Sequence, residues 1–355
     1  MKSLIALLGL CVALFSVSIK AAVIIQYHHI DTTTPSLTST PPELFSQHLD
    51  YLHKNDFAVL ALDELLERLF AGEQLPDKVV AITFDDGYAS VASQAAPLLE
   101  KYDYPYSIFV NLNLIGSSSD FLTWDQLQNL REKGALVANH TQDHPHLVRR
   151  NPDETFEQWQ TRIRNQIVQA ENLLETRLGY SPKLLAYPYG EYDHHIEELL
   201  ADLDIIGFGQ HSGAFDARVD RQAIPRFAFG GSYGDMEDFI SKVNTLPLPW
   251  TNITTLNERG NRLDDPLLPV DVTRPQLQIE LESLQLARQI NCYASGQGGL
   301  EVQRTETSIT TRPNADLPVG RSRINCTAPS SEPGRFYWYS EFFMRKNPDG
   351  SWYNE

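Results

Sequence analysis

The feature that most constrains the fold is a regular alternation of short apolar runs and longer amphipathic stretches between residues 23 and 245. Runs such as Val79 to Phe84 and Ser107 to Val110 predict strands, while Leu62 to Phe70 and Phe156 to Leu178 have helical spacing. Strands that alternate with helices pair in parallel and are covered by those helices. The pattern therefore predicts an α/β domain, and periodicity leaves a barrel and an open doubly wound sheet equally possible.

The remaining elements of this region are predicted from the same two spacings, which are typical of strands and of helices. The other predicted strands are Val23–Tyr27, Leu136–Ala138, Leu184–Tyr187 and Ile205–Phe208, and the other predicted helices are Ser90–Tyr102, Trp124–Lys133 and His195–Leu203.

The composition changes after about residue 250. Residues 251–275 are rich in Asn, Thr, Asp and Pro, which predicts a linker. Residues 276–355 contain short apolar runs separated by turn residues, which predicts a small β domain whose role the sequence does not indicate. The expected organisation is a larger domain over residues 23–250, a linker, and this β domain.

The N-terminus has the features of a signal peptide over residues 1–22. Lys2 is positively charged, and the apolar run from Leu4 to Val17 is too short to span a bilayer comfortably. Ala21 and Ala22 are small residues suited to cleavage directly after them. We therefore expect a secreted or periplasmic protein without stable membrane insertion, and an uncleaved membrane anchor is the alternative.

Removal of the signal peptide would leave two cysteines, Cys292 and Cys326. Two cysteines in an exported chain are expected to form a disulfide, here within the C-terminal β domain. Two buried free thiols are the alternative, because the distance between the residues cannot be read from the sequence.

The charge balance restricts the class of partner. The formal net charge is −17, which argues against a nucleic acid because phosphate binding needs a basic face. It also disfavours binding to anionic lipid, and it is compatible with a neutral or cationic polymer.

The first motif with catalytic potential is Thr83-Phe84-Asp85-Asp86-Gly87-Tyr88. It follows a predicted strand, and active sites of α/β folds lie at the carboxyl ends of parallel strands. Neighbouring residues that leave a strand point in different directions, so one carboxylate can bind a metal while the other faces the substrate. A polar turn is the alternative interpretation of Asp-Gly.

The second motif is His140-Thr141-Gln142-Asp143-His144-Pro145-His146, which also follows a short predicted strand. Imidazoles four residues apart share a face on a helical turn. With one carboxylate they form the His/His/Asp set of a catalytic zinc site, which keeps a position open for water. Asp143 as a ligand, and His146 in place of His144, remain alternatives at this point, as do exposed loop histidines without a metal.

The third motif is Ala186-Tyr187-Pro188-Tyr189-Gly190-Glu191-Tyr192. Aromatic residues mixed with Pro and Gly suit the wall of a groove that stacks on sugar rings, which assigns Tyr187 and Pro188 to substrate binding. A backbone N–H in this segment can stabilise an oxyanion. A structural turn is the alternative.

At the N-terminal strand, alternation places His28 and His29 on opposite sides.

Together these motifs resemble the polysaccharide deacetylases of carbohydrate esterase family 4, the NodB-homology fold, over about residues 23 to 245. The resemblance implies a distorted (β/α) barrel. By position it implies that Asp85 is the general base and that Asp86, His140 and His144 bind one divalent metal. It also places the backbone N–H of Tyr189 at the oxyanion.

Two departures from the family pattern concern catalytic residues. Many members carry an Arg two residues before the Pro of the third motif, where this chain has Ala186. Arg226 is the candidate to supply that charge, and we also assign it to substrate contact. The Leu-rich strand with a catalytic His that ends the domain in many members has no counterpart here. The Tyr27-His28 start instead resembles the permuted subgroup that acts on poly-N-acetylglucosamine, which implies that His28 is the general acid, with His211 as its competitor.

The function that this resemblance implies is N-deacetylation of a polysaccharide that contains N-acetylglucosamine. A metal-activated water would attack, Asp85 would accept a proton, and His28 would protonate the leaving amine. Zinc is the expected metal, and an Asp/His/His site also accepts cobalt or nickel. The alternatives are an O-acetyl esterase on a decorated glycan and a catalytically silent glycan-binding protein.

Overall fold

A computed structural model describes residues 21–353 of the chain. Most of the predicted signal peptide, residues 1–20, lies outside the described residues. Ala22, which we assigned to that peptide, is the first residue of strand β1 (Ala22–Tyr27), where it pairs with Val79 and bridges Phe215. Within residues 21–353, no helix is long and apolar enough to cross a bilayer.

The N-terminal domain contains the alternating strands and helices that the sequence predicts. Its further strands are β2 His29–Ile30, β3 Ser39–Thr40, β4 Ala58–Val59, β5 Val79–Phe84, β6 Ser107–Val110, β7 Leu136–Asn139, β8 Leu184–Ala186, β9 Ile206–Phe208 and β10 Phe227–Ala228. Its α-helices are α1 Pro42–Lys54, α2 Leu62–Phe70, α3 Ala96–Leu99, α4 Trp124–Glu132, α5 Phe156–Leu178, α6 His194–Asp202 and α7 Met236–Val243. A π-helical segment, Val91–Ala95, precedes α3, and 3-10 turns form at Ser36–Thr38, Glu100–Tyr102, Pro188–Gly190 and Gly231–Tyr233.

These strands form a parallel sheet that curls into a distorted barrel. Its order is β10-β1-β5-β6-β7-β8-β9, with β4 beside β5. The last strand, β9, joins the segment before β10 through a parallel bridge between Phe208 and Ile224, and β10 then pairs with β1. The predicted (β/α) barrel is confirmed, and its closing strand is short.

The local sequence explains the best-predicted elements. All six residues of β5 are buried, as expected of a strand with one face against the helices and the other inside the barrel. Helix α5 begins at Thr155, which forms a capping box with Gln158, and ends at Gly179 in the left-handed conformation. These start and stop signals are local, so the sequence alone predicts the bounds of α5.

The C-terminal domain is larger than predicted. Its elements are β11 Thr245–Pro247, β12 Trp250–Leu256, β13 Arg262–Leu263, β14 Gln276–Leu281, α8 Leu284–Ala287, β15 Asn291–Ala294, β16 Gly298–Gly299, β17 Val302–Arg304, β18 Ser308–Thr311, β19 Gly320–Pro329 and β20 Phe336–Arg345. Among the described residues they form one sheet of order β11-β20-β19-β15-β16 and a second of order β13-β12-β14-β18-β17.

The predicted linker over residues 251–275 is wrong. Strand β12 pairs with β14 along its length and also with β13, so this segment belongs to the second sheet. Its side chains are mostly exposed or half-buried, which explains a composition like that of a linker. The domain begins before it, since β11 pairs in parallel with β20.

The predicted disulfide is confirmed. Cys292 and Cys326 lie directly opposite each other on the antiparallel strands β15 and β19, with their Cα atoms 4.1 Å apart. Both residues are buried in the apolar core between the two sheets.

The β domain packs firmly against the barrel. The ring of Phe342 stacks on Tyr192 at 5.2 Å between centroids, and Trp338 meets Phe227 edge-on at 5.3 Å. Met344 is fully buried in the same apolar cluster as Tyr192. The two domains therefore share part of their core.

A cavity of about 430 Å³ lies between the two domains and is lined by several carboxyl groups. Glu197 on α6 is among them, and burial raises its pKa to about 8, with Asp220 and Asp265 adding to the shift. The folded protein therefore keeps a proton on Glu197 at pH values where the unfolded chain releases it. As the pH rises through this range, the free energy of unfolding falls.

We expect the stability of the protein to decline between pH 4.5 and about 8, the ordinary and the folded pKa of Glu197. Glu197→Gln removes this titration, so the variant should be more stable than the parent at pH 8 and similar to it at pH 4.5. Urea denaturation midpoints at the two pH values measure the effect. Glu198→Gln, at the exposed neighbour on the same helix, is the control, and an equal gain in both variants would contradict this account.

Candidate active site

Three of the sequence motifs meet at one edge of the barrel. Asp85 and Asp86 follow β5, His140 follows β7, and Tyr189 comes shortly after β8. These strands run in parallel and lie near one another in the sheet. Their carboxyl ends therefore bring the motifs together, as the sequence predicts.

The three predicted metal ligands converge. Asp86 Oδ1 lies 3.2 Å from His140 Nε2 and 3.4 Å from His144 Nε2. One ligand atom from each residue lies within 4.8 Å of the other two. One carboxylate oxygen and two imidazole nitrogens form a donor set suited to zinc or a similar divalent ion. The site fits one divalent metal.

Hydrogen bonds orient the histidine ligands. His140 Nδ1 lies 2.7 Å from the carbonyl oxygen of Ala186. A carbonyl only accepts, so Nδ1 carries the proton and Nε2 keeps its lone pair for a metal. Asn139 accepts a bond from the N–H of Thr141, whose hydroxyl accepts one from the N–H of His144. The turn that carries both ligands is therefore held by its own side chains.

Four residues at this edge have a strained backbone. Asp86, Thr141, His144 and Tyr189 all have positive φ angles, between 53° and 71°. Non-glycine residues adopt this region at a cost, and such residues cluster at functional sites. Each of the three motifs thus contains at least one residue with this backbone conformation, which also occurs at six non-glycine residues elsewhere in the described chain.

Asp85 is fully buried and paired with Arg226. Two guanidinium nitrogens of Arg226 lie 2.8 Å from the two carboxylate oxygens, and Gln26 donates a further bond of 2.6 Å. Burial alone would raise the pKa of Asp85, but the charge of Arg226 outweighs it and holds the pKa below its usual value. Asp85 is therefore ionised and able to accept a proton.

Arg226, the candidate for the charge that Ala186 does not supply, is fully buried and pairs with Asp85. The prediction that Arg226 also contacts the substrate is wrong, because its guanidinium bonds to Asp85, Thr83 and the carbonyl of Gly209. Sequence reasoning missed Gln26. The available signal was a polar residue inside the apolar run of β1.

Two residues of the third motif do not line an exposed groove as the sequence predicts. Tyr187 and Pro188 are buried, and the Tyr187 hydroxyl donates to the carbonyl of Gln222. Their assignment to sugar stacking is therefore wrong. Tyr189 is partly exposed and lines a cavity of about 280 Å³ together with Asp86 and His144.

The alternative ligands lie outside the cluster formed by the described residues. His146 Nδ1 bonds to Glu191 at 2.8 Å, and its ring stacks on Tyr189 at 3.9 Å. Asp143 accepts bonds from Asn113 and Gln166. His146 therefore supports the ring of Tyr189 rather than replacing His144.

His28 lies beside the cluster. It occupies a bend after β1, is partly exposed, and interacts electrostatically with Asp85, Asp86 and His144. His29 stacks on Tyr88 at 3.5 Å and also interacts with Asp86. The alternation expected of strand residues does not hold, because His28 lies in the bend rather than within a strand.

His211, the competing acid, lies on the wall of the interdomain cavity. It is only 9% exposed. Burial lowers its pKa to about 3, with Arg323 and Arg226 adding to the shift. The imidazole is therefore neutral and unsuited to donate a proton near neutral pH.

Comparison with known proteins gives a consistent result. Residues 72–207 match the sequence profile of the polysaccharide deacetylase family. The poly-beta-1,6-N-acetyl-D-glucosamine N-deacetylase of Staphylococcus epidermidis is 27% identical over 227 residues, which cover 58% of this chain and 78% of that protein. The enzyme of the same name from Escherichia coli is 23% identical over 261 residues, which cover 63% of this chain and only 38% of that protein.

A solved structure extends the likeness to the fold. The deacetylase PplD of Streptococcus pyogenes, determined in complex with acetate, superposes with a TM-score of 0.56 at 25% identity. The superposition covers 63% of this chain and 98% of PplD. The β domain over residues 245–353 lies outside the segment that matches the family profile.

We expect His140→Ala to lose most of its bound zinc, since two remaining ligands bind a divalent ion weakly. Elemental analysis of the purified, zinc-loaded protein measures this independently of activity. His146→Ala, three residues beyond the turn at Asp143, is the matched control and should keep its zinc. Retention by His140→Ala together with loss by His146→Ala would move the ligand role to His146.

Proposed function

We propose that this chain, whose residues 72–207 match the polysaccharide deacetylase family, removes N-acetyl groups from a polysaccharide containing N-acetylglucosamine, with one divalent metal. The observation that carries the proposal is the Asp86, His140 and His144 cluster directly beside the ionised pair of Asp85 and Arg226. The choice of polymer is supported by two relatives named poly-beta-1,6-N-acetyl-D-glucosamine N-deacetylase.

The metal would be held by Asp86, His140 and His144, and zinc, cobalt and nickel all suit these donors. When bound there, such an ion supplies Lewis acidity that polarises an acetyl carbonyl and favours ionisation of water.

The side chains of the protein move the protons. Asp85, kept ionised by Arg226, accepts a proton from the attacking water. The backbone N–H of Tyr189 donates to the oxygen that becomes negative as the tetrahedral centre forms. His28 donates a proton to the departing nitrogen, because an amine leaves readily only when protonated.

We also place this reaction outside the cytoplasm, with a polysaccharide as the partner. The support is the apolar segment after Lys2 and the Cys292–Cys326 disulfide, since disulfides persist in oxidising compartments.

An acetate-release screen tests the function. The substrates are poly-β-1,6-N-acetylglucosamine, chitin oligomers, peptidoglycan and acetylxylan, and we expect release from the first and little from acetylxylan. Release from acetylxylan alone would replace the proposal with an O-acetyl esterase. Tight binding of a polymer without any acetate release would instead indicate a glycan-binding protein.

Asp85→Asn should keep its zinc and lose turnover by about 10²–10⁴-fold, the usual contribution of a general base. Metal content and initial rates on the best polymer of the screen are measured on the same preparation. Loss of zinc in this variant would show that the roles of Asp85 and Asp86 are reversed.

His28→Ala should lose amide hydrolysis by about 10²–10⁴-fold and lose less on an activated aryl acetate, whose leaving group needs no proton. Rates on both substrates give the ratio that isolates the acid. His211→Ala is the matched control. Equal mild losses of His28→Ala on both substrates, with a severe amide-specific loss in His211→Ala, would transfer the role.

A further inference from the structure

A second cavity begins at His28 and runs between the barrel and the β domain. Its volume is about 510 Å³. Its barrel side includes Tyr233, and its β-domain side includes Tyr293, Arg323 and Trp338. His28, which lines this interdomain groove, also interacts electrostatically with Asp85 and Asp86, so the groove lies next to the edge of the barrel that carries the aspartates.

The β-domain side of the interdomain groove is held in place. Trp338 Nε1 donates to the hydroxyl of Ser340, and that hydroxyl donates to Asn325 Oδ1 at 2.6 Å. Ser340 also meets Ser212 of the barrel at 3.1 Å. The wall therefore has a fixed position relative to the barrel, as a preformed binding site requires.

The groove presents two large aromatic side chains to solvent. Tyr293 of strand β15 is 45% exposed, and Tyr233 of the barrel is 68% exposed. Exposed aromatic rings beside a catalytic site are suited to stack on the apolar faces of pyranose rings, because they present large apolar area with a polar tip.

The polar groups of the groove are suited to an uncharged, oxygen-rich ligand. Arg323 is exposed, and its Nη1 lies 3.3 Å from the carbonyl oxygen of Gln210. The other guanidinium nitrogens are donors for hydroxyl or acetyl oxygens. Asp238 and Lys242 also line the groove and pair with each other at 3.2 Å. Arg323 therefore adds a positive charge, which repels the ammonium group of a deacetylated sugar. The acetylated polymer therefore fits this groove better than its product.

We propose that the interdomain groove binds the N-acetylated sugar units that flank the reacting one, with stacking on Tyr293 and Tyr233 and hydrogen bonds from Arg323. The inference rests on the proposed function and assigns a role to the β domain: it forms one wall of the polymer-binding site.

The test compares Tyr293→Ala with Phe336→Ala, which removes a similarly exposed ring (43%) from strand β20 of the same domain. On a β-1,6-linked N-acetylglucosamine pentamer, KM should rise about tenfold in Tyr293→Ala, the effect of losing one stacking contact of about 1.4 kcal/mol. Loss on a small aryl acetate should be smaller. Phe336→Ala should match the parent on both substrates.

Calorimetric titration of the pentamer into Asp85→Asn, with and without Tyr293→Ala, measures binding without turnover. Tyr293→Phe keeps the ring and should restore affinity, which separates stacking from misfolding. Equal pentamer affinity with and without Tyr293→Ala would overturn the inference while leaving the proposed function intact. Absence of acetate release by the parent would overturn the proposed function, and the titration would still test the groove.

The charge of Arg323 allows a second, independent test of the inference. Arg323→Glu should lower the ratio of KM for a partly deacetylated pentamer to KM for the fully acetylated one, because the repulsion becomes attraction. Arg259→Glu, at an exposed arginine of the β domain, is the control and should leave the ratio unchanged. An unchanged ratio in Arg323→Glu would contradict the assigned preference for acetylated units.

Discussion

The buried ion pair between Asp85 and Arg226 is the interaction on which the rest of the catalytic edge depends. Both side chains are fully buried. Removing each charge from water costs several kcal/mol, which the attraction between the two charges and their hydrogen bonds must offset. Asp85 follows β5 and Arg226 precedes β10, and these strands flank β1 on its two sides. Gln26 of β1 bonds to the same carboxylate. The pair, together with Gln26, therefore connects three adjacent strands of the sheet, β5, β1 and the closing strand β10.

Because of this arrangement, the ionisation of Asp85 depends on closure of the barrel. Asp85 has a guanidinium to offset its burial only when Phe227, next to Arg226, pairs with β1 and Ile224 bridges β9. The β domain contributes to that docking, because Trp338 packs on Phe227, the residue next to Arg226. Arg226, near the end of the closing segment, thus supplies to Asp85 the positive charge that Ala186 cannot supply. The proposed base therefore depends on the complete fold.

Local signals in the sequence were sufficient for much of this structure, and long-range contacts explain the rest. The strand bounds of β5 and β6 and the bounds of α5 follow from periodicity and capping, so they could be predicted. Burial of Tyr187 depends on the carbonyl of Gln222, 35 residues away, and no local pattern contains that contact. Strand β12 resembles a linker because one sheet face is solvated. The clustering of Asp86, His140 and His144 could be predicted because both motifs follow the carboxyl ends of nearby parallel strands.

The strained backbone of the third motif shows why the β domain matters beyond its groove. Tyr189 has φ of 60°, a conformation that costs of order 1–3 kcal/mol and persists only where the surroundings over-determine it. Two sets of contacts do so here. His146 stacks on the Tyr189 ring and is held by Glu191, and Arg321 of strand β19 donates to the Tyr189 carbonyl at 2.7 Å. Tyr189, whose N–H we propose as the oxyanion donor, is thus held through its ring from the barrel and through its carbonyl from the β domain. The C-terminal domain therefore helps to position this edge of the barrel.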